Sequence, residues 1–161
     1  MARGFHLTID EWFYDWFARP NKYLEATKFF YKIFEVCDKM VIKKGTPLAH
    51  KFYQLDLESG KWPPDQRKAV KFIKNLFLSN SNKVHWVDDV DEFKEDIKNR
   101  LPRHDIYLIE VCIKTNNKIL ITTDNTLHSN VNDLYETLSI TSFMADDFIK
   151  RYIEDSGFLE P

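Results

Sequence analysis

The sequence predicts an α/β domain, a three-layer α/β/α sandwich built on a mostly parallel central sheet. Two observations carry this. Short β-branched runs alternate along the chain with longer segments whose apolar residues recur at helical spacing, and helical crossovers between parallel strands produce that alternation. Two of the strands, FHLTI and KILITT, also run directly into an aspartate, Asp10 and Asp124. In sheets of this kind ligands gather at the carboxyl ends of the strands. At 161 residues the chain suits a single domain spanning residues 1–161 with a core of its own.

Taken in order, FHLTI (5–9) reads as a strand. The following segment is broken at Pro20 and continues as a helix over 21–38, with Leu24, Ala26, Phe30, Ile33, Phe34 and Val36 as its apolar positions. MVIK (40–43) is a second strand, closed by Gly45 and Pro47, and a helix follows over 47–57. SGKWPP (59–64) breaks the chain. Over 65–79, Ala69, Ile73, Leu76 and Phe77 recur at helical spacing with Lys and Arg on the other side. KVHWV (83–87) is a strand, the acidic run 88–100 a solvated helix, and Pro102 its stop. A helix over 103–117 turns Ile106, Ile109, Cys112 and Ile113 to the core. KILITT (118–123) follows, then TLSIT (137–141) as last strand and 143–153 as last helix.

Hydrophobic residues make up 43% and charged residues 30%, while the 15% aromatic share calls for a bulky core. No apolar run approaches the roughly 20 residues of a membrane helix, and MARGFHLTIDEWF lacks a signal peptide's apolar stretch. A cytoplasmic protein with no membrane contact is expected. Cys37 and Cys112 lie among apolar neighbours in predicted helices without metal-binding spacing, and are expected as buried thiols. With a net charge of −2, any contact with nucleic acid must be local.

Asp10 and Asp124 each stand two residues after a threonine, Thr8 and Thr122. With a side-chain period of two, both carboxylates leave the sheet edge in the same way. Asp105 opens a helix after Pro102, where the helix dipole favours an anion. Each acid also has a purely structural use: Asp10 as a helix cap, Asp105 as a first-turn acid, Asp124 as a turn former. If the three converge they repel one another unless a cation neutralises them. Mg²⁺ or Mn²⁺, hard ions with oxygen ligands, would do so and would favour phosphodiester chemistry. Thr122, Asn125 and Arg103 are the candidate substrate contacts, with Thr122 also orienting Asp124. His50, His104 and His128 read as ordinary, partly exposed histidines.

At these residues the chain resembles the PIN-domain ribonucleases, a family that includes the VapC-type toxins. The matching motifs are LTID with Asp10 ending the first strand, RHDIYLIEVCI with Asp105 opening a late helix, and TTD with Asp124 ending the next strand. The resemblance spans roughly residues 5–150. It implies a metal-dependent endoribonuclease with Asp10, Asp105 and Asp124 as catalytic metal ligands, RNA as substrate, and an antitoxin or other protein partner and a homodimer as expected associations.

Two departures stand out. Glu11 and Trp12 follow Asp10 where the family has a small hydroxyl residue. Early in the helix after the second strand, where the family has a glutamate, this chain offers Lys44, His50 and Lys51. A second reading is therefore a catalytically impaired PIN-like domain that binds RNA or a protein, with Trp12 or Trp16 as an exposed anchor. A phosphorelay receiver also gathers acids at strand ends, but it needs a lysine ending a late strand, and TLSIT is followed by Ser142.

Overall fold

The computed structural model describes residues 4–155 and 159, and of residues 76 and 77 the backbone alone. Among them a five-stranded sheet is ordered β3-β2-β1-β4-β5, with every neighbouring pair parallel. The strands are β1 (His6–Ile9), β2 (Lys39–Lys43), β3 (Val84–Val87), β4 (Ile119–Thr122) and β5 (Thr141–Met144). Helices cross between them: α1 (Trp12–Ala18) and α2 (Tyr23–Glu35), α3 (Pro47–Glu58) and α4 (Pro64–Ile73), α5 (Glu95–Lys98) and α6 (Ile106–Ile113), α7 (Asn125–Asp133) and α8 (Tyr135–Leu138), with α9 (Ala145–Glu154) last. This is the expected three-layer α/β/α sandwich. From β1 the chain builds β2 and β3 to one side, then returns to build β4 and β5 on the other. The reversal lies between β1 and β4, and the open crevice of a doubly wound sheet forms at such a reversal.

Central position explains the composition of the strands. All four residues of β4 are buried, because neighbours and helices cover both of its faces. Alternation then divides the faces: Val41 meets Val111 of α6 on one side, while Leu7, Ile9, Met40 and Ile42 join the main aromatic core. That core holds Phe13 stacked on Phe52 with ring centroids 4.1 Å apart, and Phe29 and Phe30 edge-to-face at 5.5 Å. Trp12 and Trp16 belong to it at 3% and 4% exposure. The expectation of an exposed tryptophan anchor is therefore wrong: Trp12, Phe13, Trp16 and Phe17 of EWFYDWF fill the space over the sheet.

Several boundaries differ from the sequence expectation, each for a local reason. Helix α2 stops at Glu35, where the Lys83 ammonium donates to the carbonyls of Ile33, at 2.8 Å, and Val36. Buried Asp38 then takes the Phe5 amide at 2.8 Å and the Tyr152 hydroxyl, drawing the chain toward β2. Cys37 consequently sits exposed in a bend, not buried in a helix, whereas Cys112 is buried as expected. Leu24 is 56% exposed on α2, so its apolar stripe is narrower than the spacing implied.

Of the acidic run 88–100 only Glu95–Lys98 is helical. Adjacent aspartates repel and are poor helix formers, and the Phe93 amide turns instead to the Glu110 carboxylate at 2.9 Å. The helix expected over 103–117 divides into a 3₁₀ turn at Arg103–Asp105 and α6. It ends early because Thr115 donates its hydroxyl to the Cys112 carbonyl at 2.7 Å and accepts the Lys118 amide at 3.0 Å. Helix α4 passes into a π-helical turn at Lys74–Leu78, and the expected apolar side chains of Leu76 and Phe77 lie outside the described residues. TLSIT is not the last strand: α8 occupies 135–138, Ser139 turns left-handed at φ 56°, and pairing begins at Thr141. No helix among the described residues is long and apolar enough to cross a membrane.

Candidate active site at the reversal of the sheet

Asp10 follows β1 and Asp124 follows β4, so both acids rise from the carboxyl edge at the β1–β4 reversal. The seam is closed by the Asp10 amide, which donates to the Ile121 carbonyl at 3.2 Å, and by the Trp12 indole N–H, which donates to the same carbonyl at 3.1 Å. Asp10 also reaches the start of α1, whose N-cap is Glu11: one carboxylate oxygen accepts the Trp12 amide at 3.0 Å and the other accepts the Thr122 hydroxyl. A carboxylate has about four lone-pair sites, so both oxygens keep acceptor capacity.

Asp124 is the N-cap of α7. Its Oδ1 accepts the amides of Thr126 and Leu127 at 2.9 and 3.2 Å, the capping arrangement an aspartate favours. The alternative of a turn former is thus met, but by one oxygen only. Asp105 closes the 3₁₀ turn before α6 and presents Oδ2 as a buried oxygen without a hydrogen bond. The exposed His104 imidazole stands beside it, with Nε2 3.3 Å away. Ligand atoms of His104, Asp105 and Asp124 fall within 4.8 Å of one another.

These acids line a cleft of about 260 Å³ together with Glu11, Tyr14, Asp15, Lys51 and Thr123. Sequence reasoning missed Tyr14 and Asp15, although Glu11, Tyr14 and Asp15 stand at i, i+3 and i+4, the polar face of a helix whose other face buries Trp12, Phe13, Trp16 and Phe17. Thr122 is fully buried and its hydroxyl is spent on Asp10 and on the Asp124 amide. It therefore positions the acids and does not reach substrate. Asn125 and Arg103 are exposed, and neither lines the cleft. His50 is exposed outside it, whereas Lys51 lines it, with Nζ 4.7 Å from the centroid of the Tyr14 ring.

Charge is concentrated and poorly solvated here. Burial pushes the Asp10 carboxyl up to about 6; the Thr122 hydroxyl and the Trp12 amide pull it down, and Asp105 and Asp124 push it further up. Burial likewise holds Asp105 above the ordinary carboxylate range, opposed by His104 and reinforced by Asp124 and Glu11. Burial, followed by the charge of Glu11, raises the Tyr107 phenol. The residues suit a hard divalent cation: carboxylate donors on separate elements, an orphaned buried oxygen, and mutual repulsion that a cation would relieve. Compared with protein-family models, with curated proteins and with solved structures, the chain matches none.

Proposed function

We propose that this chain is a divalent-metal-dependent endoribonuclease of the PIN-domain type, hydrolysing RNA phosphodiester bonds in the β1–β4 cleft. The observation that supports this reading best is the buried, hydrogen-bond-free Oδ2 of Asp105, in a group with His104 and Asp124 whose ligand atoms lie within 4.8 Å of one another at a topological reversal. A carboxylate oxygen buried without a hydrogen bond costs stability, and such a cost is commonly retained for a ligand. Asp105 and Asp124 would hold Mg²⁺ or Mn²⁺ together with His104, and Asp10, expected as the third ligand, lies outside that group and adds to the negative field. A divalent ion supplies Lewis acidity there, neutralising the carboxylates and activating water toward a phosphodiester.

The chain's own groups would do the rest. Thr122 holds Asp10 in place, α7 holds Asp124 through its cap, and Lys51 meets a phosphate at the rim. Incubation of a mixed RNA pool with Mn²⁺ tests this, with Asp105→Asn prepared in parallel to exclude a contaminating nuclease. Cleavage by the parent alone is expected, and equal cleavage by both would defeat the proposal.

A second reading is supported by Lys51, which puts a cation where the family has a glutamate. It is a domain of the same fold that binds RNA without cutting it. RNA retention with no cleavage under either metal would favour it.

A further inference from the structure

Outside the acidic cleft, the same edge of the sheet carries a groove of opposite charge. Trp86 stands next to the carboxyl end of β3 and Lys44 directly after β2. Both line a cavity of about 420 Å³ with Tyr53 and Asp56 of α3 and with Lys74. Asp56 and Lys74 also line an adjoining cavity of about 430 Å³, which runs along α4 past Lys71, Lys68 and Arg67. Arg67, Lys71 and Lys74 recur at i, i+4 and i+7, one stripe of a helix. Asp56 is the sole acid among the residues lining the two cavities. In a chain of net charge −2 this is a local cationic track.

We propose that this groove binds single-stranded RNA and leads it to the acidic cleft, an inference that rests on the nuclease reading. Cations alone would suit any polyanion; the rings favour a nucleic acid. Tyr53 is 65% exposed and Trp86 half-buried beside it, so bases have faces to stack on, and stacking of this kind tolerates any sequence. The π-helical turn at Lys74–Leu78 breaks the regular end of α4 at the junction of the two cavities, and such turns concentrate at functional sites.

The existing ion pairs do not block the track. Lys74 to Asp56 at 2.9 Å and Lys44 to Asp88 at 3.4 Å are both exposed, and pairs of that kind hold by about 1 kcal/mol or less. Helix α3 is the shared wall, with Lys51 facing the cleft and Tyr53 and Asp56 the groove. Strand β3 lies two spacings from β1, about 10 Å, within the reach of one strand passing from groove to cleft.

The test is fluorescence anisotropy of a labelled, unstructured RNA oligonucleotide with the full chain in EDTA, where cleavage is silent. Arg67→Glu/Lys71→Glu should weaken binding by about tenfold or more and flatten its salt dependence. Tyr53→Ala should weaken it about tenfold, and Asp105→Asn should bind no worse than the parent. All these side chains except Asp105 are exposed, so melting curves should match the parent's. Binding by both groove variants within about twofold of the parent, no binding by the parent, or equal binding of duplex RNA would overturn the proposal. So would displacement by an acidic peptide that is indifferent to Tyr53→Ala. Groove-dependent binding without cleavage under Mn²⁺ leaves the track standing and removes the nuclease; cleavage with groove-independent binding does the reverse.

Discussion

Thr122 and Asp10 are joined side chain to side chain across the β1–β4 seam: the threonine hydroxyl donates to Oδ2 of the aspartate, and its oxygen accepts the Asp124 amide at 3.0 Å. One buried hydroxyl thus ties together the acids that end two strands. Its position follows from register, since Ile9 pairs with Ile121 and the next residue along each strand faces the same seam.

Thr122→Val keeps the branched shape and deletes the donor, leaving a buried carboxylate oxygen unmatched. A loss of about 1–3 kcal/mol is expected, or several degrees in Tm at this chain length. Thr122→Ser should recover most of it. Scanning fluorimetry in EDTA measures both, and an unchanged Tm for the valine variant would mean that the seam bond contributes nothing.

Asp10 sets the pH dependence. Its carboxyl is raised from 3.8 to about 6 in the folded chain, so between those values the folded state binds more protons than the unfolded. Stability therefore falls as pH rises through that window and is lowest above it, by about 3 kcal/mol for a shift of this size. Asp105 is shifted in the same direction and adds to the slope. Asp10→Asn should flatten most of the fall, and saturating Mn²⁺ should remove it in the parent. A parent that gains stability between pH 4 and 6 in EDTA, relative to Asp10→Asn, would contradict the burial of this charge.

Asp124 caps α7 and, in the proposed reading, also binds the metal, and substitution separates the two. Asparagine caps helices as well as aspartate does, so Asp124→Asn should keep Tm close to the parent's while losing metal affinity. Asp124→Ala should lose the cap too and melt a few degrees lower, for a loss of about 1 kcal/mol. Titration with Mn²⁺ beside thermal melts distinguishes the two effects, and equal Tm values for the two variants would remove the capping role.

The fold was legible because β1, β2, β3 and β4 are short, largely apolar or β-branched runs with helical spacing between them, as strands covered on both faces require. The convergence at the edge was legible too: LTID and ITTD repeat the same placement, and parallel pairing carries both to one side. Tertiary contact decided the rest. Nothing local in FEVCDK announces that Lys83 will stop α2, or that Tyr152 will claim Asp38. An aromatic run such as EWFYDWF has the same composition on a core as on a docking face, and only packing on Phe29 and the sheet separates the cases. The cations of α4 were legible as the polar side of its helix, but nothing local joined them to Lys44 and Trp86, which tertiary packing brings to the same groove.

Lys51 gives the sharpest test of the cleft. It lines the acidic site from the second turn of α3, where the resemblance leads one to expect a glutamate, and its positive charge opposes a second cation nearby. Lys51→Glu should tighten Mn²⁺ binding by roughly tenfold or more, because reversing one charge beside a divalent ion counts four unit-charge terms, each about 1 kcal/mol at 4 Å even at the dielectric of water and less with distance and salt. Lys51→Gln should fall between the variant and the parent. If the cleft cuts RNA, the glutamate variant should cut faster at limiting Mn²⁺ while holding RNA less tightly, because a phosphate contact at the rim is lost. Calorimetric titration with Mn²⁺ alone decides the first point without reference to activity. Weaker Mn²⁺ binding by Lys51→Glu would mean that the ion does not sit within the field of Lys51, and would move the metal away from Asp105 and Asp124.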